Sequence, residues 1–120
     1  MNIFMQPFSI VGLLVFAAGT ALAQDPVQVA PDEYKVLLEN DRVRVLEFQD
    51  KPGDKEGMHS HSDYVVYVVS DFKRKFTEPD GNTREVEGKA GQALWRGAES
   101  HSGENIGTTA THVILIELKE

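Results

Sequence analysis

From residue 24 to the C-terminus, no ten-residue stretch repeats its apolar side chains with the period of a helix. The pattern is instead one of short β-rich segments separated by turn signals. Candidate strands are Tyr34–Leu38, Val43–Phe48, Gly57–Val69, Phe72–Thr77, Thr83–Glu87, Ala93–Arg96, a strand around His101, and His112–Leu118. In Val43–Phe48, Val43, Val45 and Glu47 alternate with Arg44, Leu46 and Phe48. Between the strands, residues 51–55 (KPGDK) form a Pro-Gly turn, and in residues 78–82 (EPDGN) the Asp80-Gly81 pair supplies the positive φ of a tight hairpin. Seven or eight short strands spaced in this way predict an all-β antiparallel sandwich or barrel. The run YVVYVV, residues 64–69, is apolar on both parities, which predicts a strand covered on both faces.

Residues 1–23 stand apart because they contain no charged side chain. Phe8–Ala18 is an apolar core too short to span a bilayer comfortably, and Ala21-Leu22-Ala23 fits the small-residue cleavage pattern. This predicts a signal peptide over 1–23, cleavage between Ala23 and Gln24, and a periplasmic or secreted product that leaves the membrane. An uncleaved anchor is the competing reading, since no Lys or Arg precedes the apolar core. Residues 24–33 hold two prolines and read as an extended arm, and 34–120 as one β-domain. A domain this small buries only about 60–65% of its unfolded surface, so a homodimer in which a second copy covers one face would help it. The chain has no cysteine, so disulfides cannot compensate. Its net charge of −7 disfavours nucleic acid and anionic lipid as partners and leaves small molecules and metal ions.

The strongest chemical signal is His59-Ser60-His61 at the mouth of the long apolar run. On a strand the two imidazoles project to one side with Cβ atoms about 7 Å apart, a spacing from which both can reach one ion. A third ligand must come from His101 or His112, since the chain has four histidines in all. The segment GDKEGMHSH, residues 53–61, matches the first half of the motif G-x5-H-x-H-x3-4-E-x6-G, and His101 through Asn105 matches the end of G-x5-P-x-G-x2-H-x3-N. Gly91 lies one residue from the expected first glycine of the second motif. By these motifs the chain resembles a small single-domain cupin over residues 34–119. Within that superfamily, HSHSDYVV, LENDRVRV and IELK resemble small cupins described as beta-alanine degradation proteins.

The resemblance implies a jelly-roll barrel in which His101 joins His59 and His61 around one divalent transition metal ion, with Fe, Mn, Ni, Cu and Zn all admissible. Two departures qualify it. The family's glutamate ligand falls on Val65 or Val66, and the second-motif Pro and Gly fall on Arg96 and Ala98. Asp63 shares the parity of the two histidines, and could supply a fourth ligand or orient a histidine from behind. His112 reads as structural. Tyr67, Trp95 and Phe48 are candidates to line a pocket; Arg96 and Arg44 are candidates to meet a substrate carboxylate. Glu85 and Glu87 read as a solvated hairpin face. Two functions follow: a metal-dependent enzyme of dioxygenase, decarboxylase or isomerase type acting on a small organic molecule, or a non-catalytic module that binds a ligand or metal. A metal-free structural barrel is a third reading.

Overall fold

The computed structural model describes residues 24–120; the expected signal peptide and its cleavage point lie outside the described residues. The described chain begins with α1 (Pro26–Val29), followed by β1 (Tyr34–Glu39), β2 (Val43–Gln49), β3 (Lys55–His61), β4 (Tyr64–Ser70), β5 (Phe72–Thr77), β6 (Thr83–Gly88), β7 (Ala93–Arg96), β8 (Glu99–Asn105) and β9 (His112–Leu118). The strands form a five-stranded sheet in the order β1-β2-β9-β4-β7 and a four-stranded sheet in the order β3-β8-β5-β6. All pairings are antiparallel. The result is an antiparallel barrel, as the strand pattern predicts, and of the jelly-roll type, as the resemblance implies.

The two walls of the barrel differ in chemistry. Of the eight buried hydrophobic residues, Phe72 alone comes from the four-stranded sheet; the rest are Tyr34, Leu46, Phe48, Tyr64, Val68, Val113 and Leu115 of the larger one. From the four-stranded sheet the buried groups are instead Glu56, His59, His61, Arg74, His101 and Asn105. One wall is an apolar support and the other carries the polar groups. Burial of those groups is tolerated because most are hydrogen-bonded: Glu56 to Arg74, His59 to the Gly57 carbonyl, His61 to Glu117, and Arg74 and Asn105 to Asp50.

Three local expectations are corrected. The segment Gly57–Val69 is not one strand: β3 ends at His61, and after Ser62 and Asp63 the chain enters β4 in the opposite sheet. The arm is not fully extended, because Asp25 caps a helical turn by accepting a hydrogen bond from Val27 N at 3.1 Å and Pro26 occupies its first position. That turn packs against β1 and β3. Finally, β4 is covered on its inner face only, since Tyr67 and Val69 are exposed.

Gly103 shows how tightly the polar wall is built. It lies opposite Glu56 on β3 and Phe76 on β5, beneath the buried ion pair of Glu56 with Arg74. A Cβ there would sit 2.5 Å from Glu56 Oε1 and 2.7 Å from Arg74 Nη2. Gly103→Ala should therefore separate a buried pair and cost about 2–4 kcal/mol, read as a lower urea midpoint. An unchanged midpoint would show that the pair can move aside.

Candidate functional site

β3 and β8 are neighbours, and their register sets His59 directly opposite His101 and His61 opposite Glu99. A register shift between Glu56 and His59 marks a β-bulge. Three residues apart on a regular strand, Glu56 and His59 would face opposite sides; the bulge brings both inward, and His61 follows by alternation. All three are buried, His59 completely. The ring centroids of His59, His61 and His101 lie 4.8, 4.9 and 5.2 Å apart.

Each ring has its own support. The Nδ1–H of His59 donates to the Gly57 carbonyl at 2.8 Å, which leaves Nε2 as a buried nitrogen without a hydrogen-bond partner. His61 Nδ1 donates to Glu117 Oε2 at 2.8 Å. Glu117 is held in turn by Arg44 Nε at 3.0 Å, and Arg44 Nη2 reaches Asp25 at 2.5 Å. His101 Nδ1 faces Glu99 Oε1 at 3.7 Å. Glu99 accepts from the Tyr64 hydroxyl at 2.5 Å, from Arg96 at 2.8 and 3.0 Å, and from Arg84 at 3.3 Å. Tyr64 also stacks on His61, with centroids 4.5 Å apart. Carboxylates behind two imidazoles are the arrangement that fixes a ligating histidine's tautomer and raises its basicity.

Burial decides the protonation states. It pushes His59 down to about 3, the neighbouring His61 and His101 adding repulsion against a further charge, and it lowers His101 as well. Burial alone would raise Glu99 and Glu117; the nearby His101 and the bonds to Arg96 and Tyr64 for Glu99, and the bonds to His61 and Arg44 for Glu117, outweigh it and hold both below the usual carboxylate range. The carboxylates therefore stay ionised, while His59 and His101 favour the neutral form that can offer a lone pair.

The donor set fits a metal. One nitrogen from each of His59, His61 and His101 lies within 4.8 Å of the other two. Nitrogens each about 2.1 Å from one ion in tetrahedral geometry are about 3.4 Å apart, so the widest pair needs to close by up to about 1.4 Å. Among the described residues this is the one group of three or more metal-capable side chains within that reach. A cavity of about 230 Å³ adjoins it, with His101 in its wall and Phe48, Phe76, Val66 and Leu94 among its apolar lining. The lining also includes Arg74, Arg84, Arg96 and Glu56.

The sequence expectations divide here. Trp95, Arg96 and Phe48 do border the cavity. Tyr67 does not; it is exposed on the outer face, its register partner being Ile114. Asp63 is neither ligand nor support: the strand ends before it, its side chain is exposed, and its carboxylate accepts from Ala98 N at 2.8 Å. The position behind His61 is taken by Glu117. Arg44 serves Glu117 and Asp25 rather than the cavity. His112 is bonded to Glu47 at 2.8 Å, away from the triad, and Val66 lines the cavity where the motif has glutamate. Glu56, Glu99 and Glu117 were missed. Glu117 shares the parity of Val113 and Leu115, and Glu99 that of His101, so both carried a signal; Glu56 is hidden by the bulge.

Among solved structures, the chain is similar to a cupin domain protein from Bordetella pertussis, with 29% identity over 72% of this chain and 92% of that one and a TM-score of 0.67. It is also similar to an RmlC-like cupin with a double-stranded β-helix fold from Methanocaldococcus jannaschii (14% identity, 72% and 78% covered, TM-score 0.56). A third is a predicted oxalate decarboxylase from Thermotoga maritima (23%, 72% and 79%, TM-score 0.52). No family model and no curated protein matches the sequence.

A direct check of the site is the titration of His59 in metal-free protein. An unfolded imidazole gains its proton near pH 6.5 and the buried one only near pH 3, so the unfolded state binds more protons between these values and stability falls as pH falls through that window. The His59 ring nitrogens should keep the Nδ1–H neutral signature in NMR from pH 8 to pH 5. A midpoint near 6.5 would contradict the burial described above.

Proposed function

The chain belongs to the cupin superfamily, and from that premise we propose that it holds one divalent transition metal ion on His59, His61 and His101 and acts on a small organic carboxylate in the adjoining cavity. The observation that carries the reading is His59 Nε2, fully buried, without a partner, and ringed by two further imidazoles. An unpaired buried polar atom costs about 1–3 kcal/mol, a burden that a ligand completing the triad removes. Bound there, a divalent ion would supply Lewis-acid polarisation of a substrate oxygen.

The chain's own residues support the carboxylate. In a protein of net charge −7, the cavity is lined by three arginines and one glutamate. Arg84 and Arg96 share the single carboxylate of Glu99, apart from a long 3.8 Å contact between Arg84 and the exposed Glu78. Two guanidinium groups on one carboxylate leave a positive charge beside the cavity, with N–H donors suited to an anionic oxygen pair. Phe48, Phe76, Val66 and Leu94 would hold an apolar body and exclude water.

Glu56 favours catalysis over mere capture. Its Oε1 accepts from Arg74 at 2.7 Å, whereas Oε2 is buried in the cavity wall without a hydrogen bond. Burial raises its pKa against the opposing pull of Arg74, so Oε2 can hold or accept a proton inside the cavity. Val66 in place of the motif's glutamate favours the second reading, a non-catalytic binding module. The apolar, uncharged character of residues 1–23 supports placing either activity in the periplasm or outside the cell.

Elemental analysis of untagged protein should give close to one metal equivalent per chain, and the His59→Ala/His61→Ala double variant essentially none. Metal-loaded protein should bind benzoate at least tenfold more tightly than benzamide, and Arg96→Gln should reduce that preference. No stoichiometric metal would end the metal reading, and equal binding of the acid and the amide the carboxylate reading. Oxygen uptake or substrate loss across a panel of small carboxylic acids separates enzyme from module.

A further inference from the structure

β3 supplies two of the three triad imidazoles, yet it lies at the border of its sheet, in the order β3-β8-β5-β6, with β8 as its one strand neighbour there. A border strand keeps a row of backbone groups without ladder partners, and it is where a sheet is held least firmly. Residues 24–30 occupy this border. The Ser60 N–H, between His59 and His61, donates to the Gln24 carbonyl at 2.7 Å. α1 packs against β3 as well as β1. Val29 comes so close to Gly57 that a Cβ there would sit 3.3 Å from Val29 Cγ1. Gly57 is the residue whose carbonyl accepts the His59 Nδ1–H.

The same segment reaches His61 through side chains. Asp25 divides its carboxylate between two tasks: Oδ2 accepts from Val27 N at 3.1 Å and caps α1, while Oδ1 accepts from Arg44 Nη2 at 2.5 Å. Arg44 Nε donates to Glu117 Oε1 at 3.0 Å, and Glu117 Oε2 accepts from His61 Nδ1 at 2.8 Å. Docking of the arm and orientation of His61 thus pass through one residue.

We infer that residues 24–30 are a strap that holds the ligand strand in place, with Asp25 and Arg44 as positioning residues that set how long an ion stays on the triad; this rests on the metal reading proposed above. The anchorage of the strap is narrow. Pro26 is fully buried, Val27 and Ala30 are partly buried against the core, and Gln24 is exposed. A segment held by so few apolar contacts opens at a fraction of the free energy of global unfolding. Each opening removes the Ser60 bond, withdraws Val29 from Gly57 and parts Asp25 from Arg44. His59 and His61 then lose their backing together, while His101, on the interior strand β8, keeps its own. An ion can leave without the barrel coming apart.

Two variants separate the parts of the strap. Asp25→Asn keeps an oxygen for the α1 cap but removes the charge that holds Arg44. Pro26→Asp places a charge in the buried anchor and frees the whole segment. The test uses the full chain as recovered, its N-terminus read by mass spectrometry and its site loaded with Zn(II). Transfer of zinc to an excess of a chromophoric chelator should run about tenfold faster in Asp25→Asn than in the wild type, and faster again in Pro26→Asp. In metal-free protein at neutral pH, the His61 Nδ1–H should exchange with water faster in Asp25→Asn, with the His59 ring signals unchanged. The Ser60 amide should exchange at least about tenfold faster in Pro26→Asp while the amides of β9 keep their protection. Zinc release at the wild-type rate in both variants overturns the inference. So does loss of β9 protection together with that of Ser60, because faster release would then follow from general unfolding. A wild type that takes up no stoichiometric zinc ends the metal reading itself, and the exchange contrast in metal-free protein tells the two failures apart.

Discussion

The structure depends on keeping three imidazoles inside an apolar barrel with their lone pairs turned toward one another. Each ring nitrogen that is not available for a ligand must be dealt with, or its burial would cost more than the fold can bear. The solution is different for each ring: a backbone carbonyl at a bulge accepts from His59, a carboxylate on the facing sheet accepts from His61, and the Glu99 carboxylate two residues along the same strand lies 3.7 Å from His101 Nδ1, which is left without a hydrogen bond. Each carboxylate is then held by arginine, and in one case by tyrosine. The network extends outward until it reaches groups that water can also solvate.

This explains why the barrel has unlike walls. The four-stranded sheet carries the histidines, Glu56 and Arg74, while the five-stranded sheet supplies most of the apolar mass and the backing group Glu117. Polar groups on both walls would leave too little apolar burial for so small a domain. The electrostatics divide similarly, with an acidic exterior and a cavity lined by three arginines and one glutamate. A small anion is repelled by the surface as a whole and favoured at one place on it.

The barrel was legible because period-two alternation and turn chemistry are local, and the Asp80-Gly81 hairpin has its glycine at φ 92° as expected. His59, His61 and His101 were legible from spacing, with resemblance supplying the pairing of their strands. What escaped depends on one inserted residue or one broken strand. The bulge before His59 reverses parity and hides Glu56; the break at Ser62 takes Asp63 out of the alternation on which its role rested. Glu117 was visible as an acid on the inward parity of an apolar strand, but its pairing with His61, 56 residues away, required the topology. The two-sided apolarity of β4 predicted cover on both faces, but Tyr67 and Val69 are exposed and the barrel covers the inner face only.

Asp25 lies at the start of the described chain and Glu117 near its end, and they meet on the same arginine behind His61. The Gln24 carbonyl also accepts a hydrogen bond from Ser60 N, between the two histidines. The site is thus braced from both ends of the described chain, and the Arg44–Glu117 contact spans 73 residues, a separation with a high loop-closure cost. A chain still emerging from synthesis lacks Glu117. Its histidines would be unbraced, and an ion would find a well-formed receptor only after folding is complete.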